Sequence, residues 1–192
     1  MMRAGGFGSG LLASLKRGWT DDCASQIVEL ALSLPLLVVF VVGIFDFSGA
    51  LTLKQKLTNA AREGARVAAA DPASDMYAGV PVSVGDAVQV VDNYLVSEKI
   101  NDCGLGPTPP APTKTPLTWT YTASGSGCAG SGIKVVVNRG CSTQENGVYL
   151  IGTCVSISYA YKWQFSSVSG LVGGKFLGPS TLTTNAEAFN EN

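Results

Sequence analysis

Three groups of side chains in this sequence have types and spacings that could support chemistry. Glu29 stands just before a run of apolar residues, acidic residues recur between Asp86 and Asp102, and the C-terminal half carries four cysteines, Cys103, Cys128, Cys141 and Cys154. Histidine is absent from all 192 residues. The commonest general base and the commonest transition-metal ligand are therefore missing, which argues against an enzyme.

The acidic residues do not change this conclusion. Asp86 with Asp92, and Glu98 with Asp102, could be imagined as acid/base pairs, but they fall on or beside a polar helix face, where charges are usually solvated. We therefore expect no catalytic residue, no metal site and no cofactor. The formal net charge of −1, with only 14% charged residues, also argues against nucleic acid as a partner.

The apolar run predicts a membrane span. Sixteen residues from Leu30 to Phe45 carry no charge. At about 1.5 Å per residue they cover roughly 24 Å, short of the ~30 Å hydrocarbon core. A start at Ile27 lengthens the helix to about 28 Å and puts Glu29 near the membrane boundary, so the span is expected at about 27–47.

Positive charges before the run predict its orientation. Arg3, Lys16 and Arg17 lie in a Gly-rich leader, residues 1–24, and the positive-inside rule places this end in the cytoplasm. Lys54 and Lys56 follow the run and weaken the asymmetry. The competing interpretation is a secretory signal cleaved after Ser48 to Ala50.

Helical periodicity continues beyond the span. Leu53, Leu57, Gly64 and Val67 recur at steps typical of one helix face, and Pro72 ends the pattern. The sequence predicts one long helix over 25–70, kinked at Pro35. The alternative is two helices hinged within Asp46 to Gly49.

Three blocks in this region resemble the TadE-like family: "SQIVELALSLPLL", "GIFDFSGAL" and "KQKLTNAAREGAR". The resemblance implies a pseudopilin-like protein of the tight-adherence (Flp) pilus system. It implies a single-pass protein of the bacterial inner membrane whose head is periplasmic or extracellular. The partners implied are the pilus assembly platform, other pilin-like subunits including copies of this chain, and a prepilin peptidase.

The same resemblance gives Glu29 a role. Prepilin peptidases leave a glutamate as fifth residue of the mature chain, which places cleavage between Ala24 and Ser25. The family pattern has glycine where this sequence has Ala24. The carboxylate of Glu29 would then pair with the terminal amine of a neighbouring subunit and offset a cost of roughly 3 kcal/mol for an unpaired charge in lipid. The alternative is a side chain that reaches the lipid headgroups.

Residues 71–192 predict a small α+β head. A second amphipathic helix includes Val84 to Leu95, with Ser83 and Asp86 as a capping pair, and a Pro-rich loop occupies 104–116. Five strands of one antiparallel sheet are expected at 117–122, 133–138, 148–151, 155–163 and 181–186. The stretches "SGSGCAGSG" and "NRGCSTQENG" are expected as connecting turns.

The four cysteines of the head favour two disulfides, since an even number in an oxidising compartment is typical of structural bonds. We prefer Cys103 with Cys128 and Cys141 with Cys154, because each pair closes a turn-like sequence next to strands. A metal site or a redox pair is disfavoured because no C-x-x-C spacing occurs.

Two functions remain open. The first is a pilin-like structural subunit or assembly factor that acts by helix packing in the membrane, through the stripe of alanine and glycine residues on the long helix. The second is a permanently tethered binding or adhesion module, for which aromatic side chains could form a platform: Trp119, Tyr121, Tyr159, Tyr161 and Trp163. Such residues on alternate strand positions lie in a core more often than on a binding surface.

Overall fold

A computed structural model describes residues 22–72, 74, 76, 79–145, 147–164 and 180–190. The chain divides into two compact units, the first ending at Phe45 and the second beginning at Asp46. Residues 1–21, which make up most of the predicted leader, lie outside the described part of the chain. The fold class is α+β, as predicted, with a long apolar N-terminal helix, a second helix and an antiparallel sheet.

Helix α1 covers Asp22–Ala70 and contains Pro35. Residues 46–49, the alternative hinge, are helical. The part of α1 within the second unit is rich in Ala, Leu, Lys, Gln and Arg, which have high helix propensities. The helix ends before Asp71 and Pro72, because proline disfavours helical backbone in the residue that precedes it.

Helix α2 covers Val82–Ser97 and begins differently from the sequence expectation. Its N-cap is Pro81, whose carbonyl accepts hydrogen bonds from the amides of Val84 and Gly85 at 3.1 Å. No side chain caps the helix, so the predicted capping pair is wrong. Ser83 instead lies in the first turn and is fully buried, because the extended backbone of Pro81 starts the helix ahead of it.

Five strands form one antiparallel sheet in the order β1-β2-β3-β4-β5. Their bounds are Thr113–Thr115, Thr118–Ala123, Ile133–Glu145, Val148–Ala160 and Thr181–Phe189. Side chains alternate between a buried and a more exposed face, most clearly in β5. The predicted antiparallel sheet is therefore present and has one buried face. It also has a short extra edge strand, β1, inside the Pro-rich loop.

The long hairpin of β3 and β4 replaces two of the predicted connections. "NRGCSTQENG" was expected as a turn, but β3 continues through it to Glu145, and the predicted strands 148–151 and 155–163 fall in one strand that ends at Ala160. This polar stretch contains a β-bulge between Asn138 and Cys141, where the strand register shifts. There the amide of Gly140 donates to Oδ1 of Asn138 at 2.9 Å, and a Cβ on Gly140 would lie 2.5 Å from Cδ1 of Leu117.

The core of the second unit lies between the inner sheet face and the two helices. The aromatic core residues Trp119 and Tyr121 come from β2, whereas α1 contributes Leu57 and mainly small residues, Ala60, Ala61, Ala65 and Ala68, all fully buried. Small residues let the backbones come close together. A Cβ on Gly64 would lie 2.8 Å from Cγ2 of Val91 and 3.2 Å from the carbonyl oxygen of Ala87.

The helices cross in antiparallel directions and are joined further along by an ion pair. Nζ of Lys56 lies 2.9 Å from Oε2 of Glu98, near the C-terminal end of α2. Both side chains are about one third exposed, so this surface pair contributes only about 0–1 kcal/mol.

Two disulfides join the same cysteines that the sequence favoured. Cys103 is bonded to Cys128 and is buried in the core. Cys141 is bonded to Cys154 across the β3–β4 hairpin, next to the bulge, and both residues are half-buried. The first bond ties the segment after α2 to the β2–β3 connection, and the second fixes the hairpin register beyond the bulge.

One fully buried arginine, Arg139, joins the bulge to the end of α1. Its Nη2 donates to the carbonyl oxygen of Asp71 at 2.9 Å, and its Nη1 donates to Oγ1 of Thr153 at 3.4 Å. Thr153 in turn donates to Oδ1 of Asn190 at 2.7 Å. A cation at the C-terminal end of a helix also interacts favourably with the helix dipole.

We expect Gly64→Leu to destabilise the protein by about 1–3 kcal/mol, because the added side chain must push α2 away. The matched control is Gly85→Leu on α2, where no heavy atom lies within 4 Å of an added Cβ. Urea denaturation of the full chain in detergent, followed by near-UV circular dichroism, measures both. Equal stability of the two variants would show that α2 does not approach Gly64 closely.

We expect the four head cysteines to resist alkylation until a reductant is added. Cys141→Ser should expose one new thiol, at Cys154, and peptide mapping locates it. A new thiol at Cys103 or Cys128 would show that the pairing is wrong. Loss of the second disulfide, which closes a loop of 13 residues, should lower the free energy of unfolding by about 3 kcal/mol.

Candidate functional site

The apolar part of α1 presents large side chains that nothing in its own unit covers. The helix passes the length and composition criteria for a membrane span with a mean hydropathy of 2.6, and none of the span is buried. Large apolar residues are exposed all along it: Ile27, Val28, Leu30, Leu32, Leu34, Leu36, Leu37, Val38, Phe40, Val41, Ile44 and Phe45. A continuous apolar surface of this size requires lipid or another protein around it.

Glu29 lies on this helix with its side chain exposed. Among the described residues it makes no hydrogen bond and no ion pair. The nearby Ser33 does not reach it, since its Oγ donates to the carbonyl of Leu30 at 3.2 Å. Helix α1 begins two turns earlier, at Asp22, so the free amides of the helix start are out of reach as well. A carboxylate in lipid at this position therefore needs a partner from outside the described residues.

The predicted cleavage residues Ala24 and Ser25 lie on the first turn of α1. Ser25 precedes Glu29 by four residues, so both fall on the same face of the helix. This spacing places a terminal amine, if one is formed at Ser25, on the same helix face as the carboxylate.

A second group of residues lies where α1 enters the second unit. Asp46 is only 6% exposed, and its Oδ1 accepts a hydrogen bond from the amide of Gln164 at 3.1 Å. The ring of Phe47 lies 5.9 Å from that of Trp163, which contacts Tyr161 edge-on at 5.0 Å. Burial, and then the nearby charge of Asp46, raises the pKa of Tyr161.

This membrane-exit cluster, Asp46, Phe47, Tyr161, Trp163 and Gln164, was missed by the sequence reasoning. The sequence analysis named Asp46 only as one end of an alternative hinge, and Tyr161 and Trp163 only as part of an aromatic platform. The available signal was that an acid and an aromatic residue follow the run directly, and that aromatic residues are enriched at membrane interfaces. The cluster holds the segment after β4 against the start of the second unit's helix.

The small residues of α1 are used inside the second unit. Ala60, Ala61, Gly64 and Ala65 pack against α2 and the sheet and are not accessible. Small residues on one helix face predict close packing against a sheet or another helix, and α1 makes that contact within its own head, where a Cβ on Gly64 would lie 2.8 Å from Cγ2 of Val91. In the apolar part of α1, Gly43 has no heavy atom within 4 Å of an added Cβ.

The remaining candidate residues, aromatic and acidic, lie at several places in the head. Trp119, Tyr121 and Trp163 are 0%, 2% and 7% exposed, so the aromatic platform is largely core. Trp119 donates through Nε1 to the carbonyl of Gly79 at 3.0 Å. Of the acidic candidates, Glu98 pairs with Lys56, Asp86 is exposed, and Asp92 is buried.

One group of potential metal ligands occurs in the described part of the chain, namely Cys141, Cys154 and Glu187. The two cysteines are bonded to each other, and a disulfide sulfur has no thiolate to offer a metal. This group therefore forms a structural crosslink beside a carboxylate.

Comparisons with known proteins bear on α1. The comparisons with curated proteins and with solved structures found no match. The family model described as TadE-like protein matches residues 24–66. The match begins at the predicted cleavage position, includes Glu29 and the membrane span, and ends within the small-residue stripe. Residues 24–66 are thus similar to the TadE-like family, as the sequence resemblance predicted.

Proposed function

We propose that the protein is a membrane-anchored, pseudopilin-like subunit or assembly factor of a tight-adherence (Flp-type) pilus. The observation that carries this proposal is the TadE-like segment on a helix with two different surroundings. Residues 27–45 expose large apolar side chains, whereas residues 57–69 are packed against α2 and the sheet. The core of the head is built without the span, so the span remains available to contact other subunits.

The mechanism that we propose is packing between membrane helices. Leucine, valine and phenylalanine side chains of one span contact those of neighbouring pilin-like subunits, and Gly43 permits a close approach. Glu29 supplies direction and register, because its carboxylate finds a partner only where a neighbour presents a cation at the same membrane depth. The terminal amine of a processed subunit is such a cation.

The proposed topology places the leader in the cytoplasm and the head outside the inner membrane. Arg3, Lys16 and Arg17 support this orientation through the positive-inside rule. The two disulfides support it independently, since such bonds persist in oxidising compartments. The further partners would be the pilus assembly platform and a prepilin peptidase that cuts between Ala24 and Ser25.

Photo-crosslinking within the membrane tests helix packing. A photoreactive residue is placed at each position from Leu30 to Ile44 in turn, with Gln55, an exposed position beyond the span, as the control. Specific packing should give protein crosslinks that recur every three to four residues, because one helix face meets the partner. Crosslinks to lipid alone at every position would support a simple tether.

Replacement of the membrane span further distinguishes a subunit that packs in the membrane from a head that is only tethered there. We expect pilus assembly to fail when residues 27–45 are replaced by an unrelated leucine-alanine helix of equal length, although the head keeps both disulfides. Normal assembly with this replacement would contradict the packing mechanism, because an unrelated helix preserves only the anchor.

Glu29→Gln should weaken subunit association by about 3 kcal/mol, or ~100-fold, because an amine in lipid loses its counter-ion. The matched control is Ser33→Ala, which removes a polar group one turn away whose hydrogen bond stays within the helix. The yield of span crosslinks, measured against total protein in the membrane, reports the effect. Equal yields for the Glu29→Gln variant and the wild type would show that the carboxylate only reaches the headgroups.

A further inference from the structure

Large apolar side chains remain exposed on the first turns of α1 within the head. Phe47 and Leu51 are 58% and 52% exposed. They are four residues apart and therefore lie on one face of the helix. Lys54, one turn beyond Leu51, is exposed on the same face. This face thus presents two apolar side chains and then a cation, in order of increasing distance from the start of the head.

The membrane-exit cluster adds a second cation beside this face. The ring of Phe47 lies 5.9 Å from that of Trp163. A Cβ on Gly49 would lie 3.3 Å from the hydroxyl oxygen of Tyr161. Lys162 stands between these two aromatic residues in the chain and is exposed, whereas Trp163 is buried. The contacts of its neighbours therefore hold Lys162 next to the first turn of α1 in the head.

The charges of the two lysines are not neutralised by the described part of the head. The ion pairs among the described residues include neither Lys54 nor Lys162. Two acids lie in the same region, but Asp46 is only 6% exposed, and Glu98 forms its ion pair with Lys56. The described surface around Phe47 therefore carries two exposed positive charges together with its apolar side chains.

The length of the apolar run favours contact between this surface and lipid. The uncharged run ends at Phe45 and is roughly 24 Å long, less than the ~30 Å hydrocarbon core. A bilayer therefore draws the first residues of the head, including Phe47 and Leu51, toward the acyl chains. Asp46 is drawn in with them. Its burial, and the hydrogen bond that its Oδ1 accepts from the amide of Gln164 at 3.1 Å, keep this carboxylate away from lipid.

The following residues suit the headgroup layer, which adds about 5–8 Å on each side of the hydrocarbon core. Along the helix axis, Leu51 lies about 6 Å and Lys54 about 10 Å beyond Phe47. Helix side chains lean toward the N-terminal end, and a lysine can place its ammonium group well away from its Cα. Lys54 therefore reaches the depth of the lipid phosphates, where tryptophan and tyrosine are also enriched.

We propose that Phe47, Leu51, Lys54, Lys162 and Trp163 form a lipid-docking surface that seats the head on the membrane and binds the phosphates of anionic lipids. The apolar side chains enter the boundary between acyl chains and headgroups, and the two ammonium groups contact phosphates. The head is then held on the membrane by a second contact besides the helix itself. This inference rests on the membrane span and not on pilus assembly.

The reactivity of the lysines tests the charged part of the surface. The full chain is reconstituted in nanodiscs of phosphatidylcholine, with and without phosphatidylglycerol, and treated with the neutral reagent N-succinimidyl acetate. Peptide mass spectrometry then gives the acetylation rate of each lysine. Acetylation of Lys54 and Lys162 should slow about fivefold with phosphatidylglycerol, and high salt should remove the effect. Lys99 and Lys134, exposed elsewhere in the head, are the internal controls.

A spin label at Leu51→Cys tests the apolar part, in a chain that also carries Cys23→Ser. The ratio of collisions with oxygen to collisions with a water-soluble nickel complex should be several-fold higher than for a label at Asn59→Cys, an exposed position two turns further along α1. In nanodiscs with phosphatidylglycerol, Lys54→Gln with Lys162→Gln should lower the ratio at position 51. The matched pair Lys99→Gln with Lys134→Gln should leave it unchanged.

Three outcomes would overturn the lipid-docking surface. The first is an acetylation rate of Lys54 and Lys162 that does not depend on phosphatidylglycerol. The second is protection of both lysines in every nanodisc at any salt concentration, since this would identify a protein contact. The third is a label at position 51 with the same collision ratio as the label at position 59. Each outcome is independent of the crosslinks within the span, which test the proposed function.

Discussion

The close contact between α1 and α2 at Gly64 is the constraint on which the rest of the head depends. A side chain at this position would enter the space of Val91 and the carbonyl of Ala87. Because the helices come this close, small alanines on α1 are enough to cover the inner face of the sheet. Large residues from the strands then fill the remaining volume, and Thr58 of α1 meets Thr184 of β5 through a 2.7 Å hydrogen bond. Dense packing of this kind stabilises a small head.

The same helix serves two environments, and its composition changes where its surroundings change. Before Asp46 the exposed residues are large and apolar, which suits lipid; after it the buried residues are mostly alanines, which suit close contact with protein. The membrane-exit cluster marks the transition, with the carboxylate of Asp46 accepting a hydrogen bond from the amide of Gln164. At the other end, Arg139 binds the carbonyl just past the last turn. Both ends of the helix segment in the head are thus held by polar contacts to the β-rich part.

The sequence predicted the features that depend on local pattern. The apolar run, the helix periodicity of α1 and α2 and the alternation along the strands all follow from one-dimensional spacing. The sequence-based prediction was wrong where a polar stretch could form either a turn or a strand. "NRGCSTQENG" has the composition of a turn, but the Cys141–Cys154 bond and the bulge at Asn138 keep it within a strand. Burial of Arg139 and the role of Asp46 could not be predicted, because both depend on partners distant in the chain.

The sequence predicted only part of the candidate site, because local spacing shows unusual single residues but does not show contacts between residues distant in the chain. Glu29 was identified because a charge at the edge of an apolar run is unusual, and the family match covers it. The small-residue stripe indicated close packing, which α1 makes with α2 and the sheet, but a pattern of alanine and glycine does not distinguish a contact within the chain from one to another subunit.

The intact mass of the protein isolated from bacterial membranes tests the central claim most directly. A pilin-like subunit must lose its leader so that a terminal amine forms four residues before Glu29. The account predicts the mass of residues 25–192, less four hydrogens for the two disulfides. The mass of residues 1–192 would contradict it and would leave a permanently tethered head as the better description.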